Sequence, residues 1–361
     1  MDEFLAKAQR QFAAQLPFVM YSKPDAKELI GLFQQDDRLH DGGDFNEKGF
    51  VFASFDGSQT YLIPEKESIV ETVLFNANNA VINSYFEEAL SDADKTDFEG
   101  LVSKGIQAIA NNAFQKVVLS RKETVLVQNF DFSAAFNKLV HLYPATFVYC
   151  FYHPKVGMWL GATPEQLLKA DANRFETIAL AGTQKDTGLT AIVWENKEKE
   201  EQQFVTNYIV DKLETVSTRL QVSQPYSIKA GTIWHIKTDI SGVLNSGFSL
   251  QQVVQLLHPT PAVCGLPKEK AKSFIIENEH YDREFYTGYL GELNSGDSTQ
   301  SSTDLFVNLR CMQIGATDIE GDTKVSLYMG CGITKDSIAE KEWNESRNKS
   351  MTMKKVLRST E

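Results

Sequence analysis

The sequence predicts an α+β protein built on large antiparallel sheets. Three observations lead there. Strand-like runs cluster in hairpin-like groups, as antiparallel meanders do. Helix-like runs fall between these groups at irregular intervals, so the regular strand–helix alternation of a doubly wound parallel sheet is missing. The chain has 361 residues, 42% hydrophobic and 23% charged, which is enough for one large globular core or two ordinary ones.

Residues 1 to about 100 are irregular in pattern. Phe50–Phe55 and Thr60–Ile63 read as short strands, separated by the turn residues Asp56 and Gly57. Asn76–Asn83 is Asn-rich and reads as a loop. Asp92–Asp97 reads as a polar link into a helix from Phe98 to Asn111. From Gln115 onward the strand signals strengthen, at Lys116–Ser120, Thr124–Val127, Thr146–Tyr152 and Met158–Leu160, where β-branched and aromatic residues concentrate. A polar helix opens at Asn196. A strand at Thr232–Ile236 and a helix over Leu250–Leu257 follow. Strands at Leu305–Gln313 and Lys324–Met329 precede a final helix from Ser337, where Ser337 and Glu340 have the spacing of a capping box. The sequence holds no internal repeat and no low-complexity segment.

The composition excludes several classes of function. The formal charge is -12 and no long basic run occurs, so nucleic acid is not an expected partner. No apolar run is long enough to span a bilayer, and the opening Met1-Asp2-Glu3-Phe4 lacks the basic start and apolar stretch of a secretory signal. Cys150, Cys264, Cys311 and Cys331 are far apart, among apolar or glycine neighbours, with no CxxC. They read as reduced, buried thiols of a cytoplasmic protein, and no Cys/His pair has zinc-ligand spacing.

Two helical stretches carry acids where core residues belong. Glu198 and Glu201 share a stripe with Val205 and Tyr208; Glu342, Glu345 and Lys349 share one with Ile338, Met353 and Val356. Exposed acids ordinarily sit opposite the apolar stripe. A run such as Glu195–Glu201 is commonly just a solvated face, yet that leaves Glu342 and Glu345 unexplained. Two acid pairs facing one space repel unless a cation lies between them. Hard oxygen ligands, few in number, are the composition of a Mg²⁺ site.

Other segments narrow the chemistry. They are Phe114-Gln-Lys-Val-Val-Leu-Ser-Arg121, Gly161-Ala-Thr-Pro-Glu-Gln-Leu167, Ala179-Leu-Ala-Gly-Thr183, Asn196–Val205, His258-Pro-Thr-Pro-Ala-Val-Cys-Gly265, Asp282-Arg-Glu-Phe-Tyr-Thr-Gly-Tyr-Leu-Gly291, Leu309-Arg-Cys311, and Gly330-Cys-Gly-Ile-Thr through Glu345. In this order they resemble the chorismate-binding family of isochorismate, salicylate, anthranilate and aminodeoxychorismate synthases. The likeness covers roughly residues 98–357. It implies that fold, with large antiparallel sheets packed together and helices outside. It divides one continuous globular unit into a weakly matched part, 1–97, and a catalytic region, 98–361.

The resemblance also assigns roles. Alone, Lys116 reads as a solvated strand end, and Thr163-Pro164-Glu165 as a helix opening. In the family pattern Lys116 is the general base that activates water, and Glu165 the general acid that protonates the departing hydroxyl. Glu201 and Glu345 match direct Mg²⁺ ligands, with Glu198 and Glu342 supporting. Gly330-Cys331-Gly332 reads as a turn whose amides hold a carboxylate, together with Arg310 and Lys349. Gly182, Thr183, His235, Thr260, Ala262 and Val263 match residues around the substrate ring. Alone, His235 reads as a core histidine, and His258 reads as a shaper of its loop.

The resemblance implies an isochorismate synthase: Mg²⁺-dependent, reversible conversion of chorismate to isochorismate, in the cytoplasm, by a monomer, for menaquinone or siderophore synthesis. Lys116 suits water addition, where amine-adding members commonly have Gln. Salicylate synthase is the nearest alternative, which Ala262 weighs against. Val263 stands where isochorismate synthases often have Leu. Anthranilate and aminodeoxychorismate synthases, and a non-catalytic chorismate-binding scaffold, are further alternatives.

Overall fold

A computed structural model describes residues 1–76, 92–185, 192–230, 233–296 and 301–357. Helix α1 (Asp2–Ala13) precedes strands β1 (Phe18–Ser22), β2 (Glu28–Gln34), β3 (His40–Asp41), β4 (Gly49–Ala53), β5 (Thr60–Pro64) and β6 (Ser68–Leu74). Helix α2 (Asp92–Ala110), strand β7 (Lys116–Gln128) and helix α3 (Phe132–Leu142) follow. Next come β8 (Phe147–His153), β9 (Gly157–Thr163), β10 (Gln166–Asp171) and β11 (Arg174–Lys185). Helix α4 (Asn196–Leu213) leads to β12 (Ser217–Val222), β13 (Tyr226–Ala230) and β14 (Ile233–Leu244). The chain closes with α5 (Leu250–Leu257), β15 (Gly265–Leu266), α6 (Lys268–Asn278), β16 (Tyr289–Ser295), β17 (Ser302–Val307), β18 (Cys311–Thr317), β19 (Asp322–Ile333) and α7 (Ala339–Leu357).

Among the described residues the strands form two antiparallel sheets. One runs β15-β7-β19-β18-β9-β8-β1-β2-β6; the other runs β12-β14-β11-β10-β17-β16-β4-β5-β3, with β13 also paired to β14. Strands from residues 1–76 enter both sheets, so this segment is not a unit apart.

Side-chain alternation explains why the sheets pack face to face. In β8 every residue is buried. Phe147, Tyr149 and Phe151 point into an aromatic layer between the sheets. Val148, Cys150 and Tyr152 point the other way, into a core shared with helices α1, α3 and α7. Ring pairs close the gap between sheets: Phe52 stacks on Phe151 with centroids 4.4 Å apart, and Phe147 on Phe306 at 4.5 Å. Aromatic pairs at such spacing add about 0.5–1.5 kcal/mol beyond their burial. The outer face of the second sheet is covered by α4 and α5 through Val205, Ile209, Val253 and Val254. Helices therefore lie outside both sheets. The four cysteines are buried and unbridged.

Several sequence expectations need correction. Lys116–Ser120 and Thr124–Val127 are one strand, β7. The charged break between them continues the alternation, because buried Arg121 and Glu123 pair with each other and Glu123 also pairs with Lys354. Leu305–Gln313 is two strands in different sheets, parted at Asn308-Leu309-Arg310, where Arg310 takes φ 46°. Asp92–Asp97 is not a link but the opening of α2, where acids favour the helix dipole. The Ser337 hydroxyl accepts from the Thr334 N–H, and α7 begins at Ala339, so the capping box does not form. Gly330-Cys331-Gly332 is not a turn; it lies within β19, paired to Ser120, Leu119 and Val118 of β7. No helix opens at Glu165, which sits between β9 and β10 where the chain passes from one sheet to the other. Most of the Asn76–Asn83 loop, Thr232 and the Thr183 side chain lie outside the described residues.

Candidate active site

The links and strand ends where the chain changes sheet converge on a cavity of about 230 Å³. Strand β7 brings Lys116 to it, the β9–β10 link brings Glu165, and α4 brings Glu198 and Glu201. The β17–β18 link brings Arg310, and α7 brings Glu342, Glu345 and Lys349. Gly182, His235, Ala262, Val263, Gly330 and Gly332 complete the expected lining. Thr260 is not on this wall. It is buried, and its carbonyl accepts from the Val263 and Cys264 N–H groups at 3.1 and 2.9 Å, closing the loop that presents Ala262 and Val263.

Glycines set the close approaches. Gly182 forms a bulge in β11 at φ +73°, and a Cβ there would stand 3.2 Å from both the Cβ and the carbonyl oxygen of Glu198. Helix α4 can therefore press its first turn onto the sheet. A Cβ on Gly332 would stand 3.1 Å from Lys116 Cε, and one on Gly330 2.9 Å from the Tyr286 hydroxyl. These glycines make room for side chains in the cavity rather than for a reversal of the chain.

One ion pair in the cavity joins two elements and another lies within α7. Lys116, 6% exposed, donates to Glu201 Oε1 at 2.7 Å. Lys349 donates to Glu345 Oε1 and to the Gly330 carbonyl, at 2.7 and 2.8 Å. Burial acts to lower the Lys349 pKa, but Glu345, through charge and hydrogen bond, and Cys331 together outweigh it and the net shift is upward. Arg310 has its pKa lowered by burial, and no ion pair to it is formed among the described residues. Burial lifts Glu165 to about 7, against the opposing pull of Lys116 and Lys349. That carboxyl lines the cavity and holds its proton close to neutrality. His235 is lowered to about 4 by burial, helped by Arg310 and Lys349, and is neutral at pH 7. Its Nδ1 is 3.1 Å from the Gly182 carbonyl, which only accepts, so Nδ1 carries the proton.

The donor set suits a hard divalent cation. Two acid pairs, Glu198 with Glu201 and Glu342 with Glu345, line the cavity. Glu198 Oε2 is buried with no hydrogen-bond partner among the described residues, an arrangement that costs free energy unless something else satisfies it. Cys331 Sγ lies within 4.8 Å of ligand atoms on Glu342 and Glu345. It instead donates to the Glu342 carbonyl at 3.3 Å, and burial pushes its pKa up, so it is a packed thiol rather than a ligand.

The lining also contains residues not singled out from the sequence, among them Tyr286, Thr287, Leu309, Tyr328 and Met329. Tyr286 and Thr287 lie inside the Asp282–Gly291 segment, but nothing in their residue types marks them as facing a cavity. Thr287 adopts φ 60°, a left-handed conformation that is exceptional for a β-branched residue.

Two packed antiparallel sheets with carboxylates, lysines and an arginine around one cavity are the architecture of the chorismate-utilising enzymes. The chain belongs to the chorismate binding enzyme family, whose model matches residues 59–358. It is 32% identical over 276 residues to the isochorismate synthase EntC of Escherichia coli strain K12, an alignment covering 73% of this chain and 68% of that protein. Its fold is similar to that of MenF, the menaquinone-specific isochorismate synthase from Escherichia coli, with TM-score 0.78, 21% identity, and 95% and 89% of the two chains covered. It is also similar to anthranilate synthase component I from Streptococcus pneumoniae TIGR4, with TM-score 0.68, 19% identity, and 93% and 92% covered.

Proposed function

We propose that the protein is an isochorismate synthase, converting chorismate reversibly to isochorismate with Mg²⁺. The observation that carries this reading is the placement of Lys116 and Glu165 on one cavity together with two acid pairs. Lys116 removes a proton from water as its oxygen bonds to C2 of the ring. The ring double bond shifts, and the C4–oxygen bond breaks. Glu165 supplies the proton that lets the C4 hydroxyl leave as water. A carboxyl near pKa 7 serves as both donor and, in reverse, acceptor. Neutral His235, fixed through Gly182, lines the cavity without adding charge.

Arg310 and Lys349 would receive the two substrate carboxylates. Arg310 offers a planar fork and has no ion-pair partner among the described residues. Glu201 and Glu345 would hold the ion, with Glu198 and Glu342 supporting it or its waters. When bound, Mg²⁺ would supply positive charge that neutralises a substrate carboxylate and fixes the ring. Glu201 pairs with Lys116 in the structure. Much of the acceleration should come from orientation and fixed charge. The cytoplasmic, monomeric state and the menaquinone or siderophore context belong to the same proposal. Among the described residues no helix is long and apolar enough to cross a membrane. A spectroscopic assay of chorismate loss with Mg²⁺ tests the reading against a scaffold that only binds; no loss would leave only binding.

A further inference from the structure

Arg283 lies outside the cavity lining and is 2% exposed. A guanidinium has five N–H donors, and here all five are used. Nε and one Nη2 hydrogen form a fork on Glu279, at 2.7 Å to Oε2 and 2.6 Å to Oε1. The second Nη2 hydrogen goes to the Val118 carbonyl at 2.7 Å. Nη1 donates to the Val263 carbonyl at 3.0 Å and to the Thr287 hydroxyl at 3.2 Å. The fork's partner is held in turn: Glu279 Oε1 accepts from the Ser120 N–H at 2.6 Å and its hydroxyl at 2.9 Å.

The three acceptors other than Glu279 share one property: Val118, Val263 and Thr287 all line the candidate active site. They come from three separate segments, β7, the loop before β15, and the turn before β16. Thr287 is also fixed at φ 60°, where its N–H reaches the Asn308 carbonyl at 2.8 Å. A backbone held in so unfavourable a region persists only when its surroundings over-determine it. A buried ion pair serving stability alone has no reason to spend every remaining donor on the wall of one cavity.

We infer that Arg283, held by Glu279, is a positioning residue for the reaction: it ties three walls of the cavity into one rigid surface without touching the substrate. The inference rests on the proposed conversion of chorismate. Lys in place of Arg keeps the charge but brings three donors on one atom and no fork, so it cannot satisfy the carboxylate and three separate walls together. The walls should then shift relative to Lys116 and Glu165. Misplacement on the scale of 1 Å can cost about 10²-fold in rate.

The test measures kcat, chorismate KM, Mg²⁺ affinity and circular dichroism for wild type, Arg283→Lys and Glu279→Asp. Arg283→Lys should keep the wild-type spectrum and Mg²⁺ affinity, with kcat reduced by about 10- to 100-fold and KM changed less. Glu279→Asp preserves the charge but draws the fork back, and should give a smaller loss of the same kind. If Arg283→Lys does not fold, Glu279→Asp decides alone. A folded variant with wild-type kcat, or a loss that tracks only the unfolded fraction, overturns the inference. Absence of chorismate turnover in wild type instead overturns the proposed function, and this inference with it.

Discussion

Lys116 Nζ lies 2.7 Å from Glu201 Oε1, so the head of the long strand β7 is ion-paired to the second turn of helix α4. One contact joins the proposed base to a proposed metal ligand. Within helix α7, which also lines the cavity, Lys349 pairs with Glu345 one turn earlier, also at 2.7 Å. Each proposed ligand carboxylate thus has a lysine beside it, and binding of a divalent cation has to compete with both.

The metal assignment predicts that chelation by EDTA abolishes turnover and added Mg²⁺ restores it. Glu201→Gln and Glu345→Gln should lose metal-dependent turnover while retaining the fold, read by circular dichroism. Full activity of either variant in chelator would remove these residues from the site.

The acid–base assignment predicts separable kinetic defects. Lys116→Ala loses water activation, and Glu165→Gln loses protonation of the leaving group, each slowing turnover by about 10²–10⁴-fold. Chorismate affinity should change less than turnover in both. Arg310→Ala should instead weaken binding strongly, because a buried substrate carboxylate is left unpaired. Near-wild-type turnover by Lys116→Ala at neutral pH would make the lysine a bystander and move attention to His235.

The pKa of Glu165 predicts a pH signature. As an acid it works while protonated, so kcat should fall as pH rises through about 7. Stability follows the same group. Its folded pKa lies above the ordinary value of 4.5, so between the two the folded protein binds more protons than the unfolded chain. Its contribution to stability therefore declines as pH rises from 4.5 toward 7 and stays unfavourable above that. Relative to wild type, Glu165→Gln should gain in Tm on going from pH 5 to pH 8. A constant Tm difference, or a kcat flat across that range, would contradict the assignment. His235, near 4, should add no titration there.

Most of the residues that line the candidate site were legible in the sequence because they sit in short, ordered segments whose types are chemically unusual for their positions. Acids on the apolar stripes of α4 and α7 are the clearest case. Glu165 was legible as a residue but not as a place, because Thr-Pro-Glu is equally good at opening a helix and at linking two sheets. Leu305–Gln313 hid a change of sheet, since an apolar run carries no mark of the left-handed step at Arg310. Strand β7 looked broken at Arg121-Lys122-Glu123 because the charges there are buried by pairing, Arg121 with Glu123 and Glu123 with Lys354, which lies more than 200 residues away. Arg283 lay inside a segment of the family pattern but carried no signal of its own: a single arginine between Asp282 and Glu284 reads as solvated, and only the fold reveals that all its donors are used internally.

The most direct test of the central claim is analysis of the products formed from chorismate with Mg²⁺. The expected result is isochorismate in equilibrium with chorismate, the same mixture being reached from either side, with little pyruvate or salicylate and no aminated product when ammonia is supplied. Stoichiometric pyruvate release at early times would assign the chain to salicylate synthesis. An aminated product would contradict Lys116 as the base that activates water.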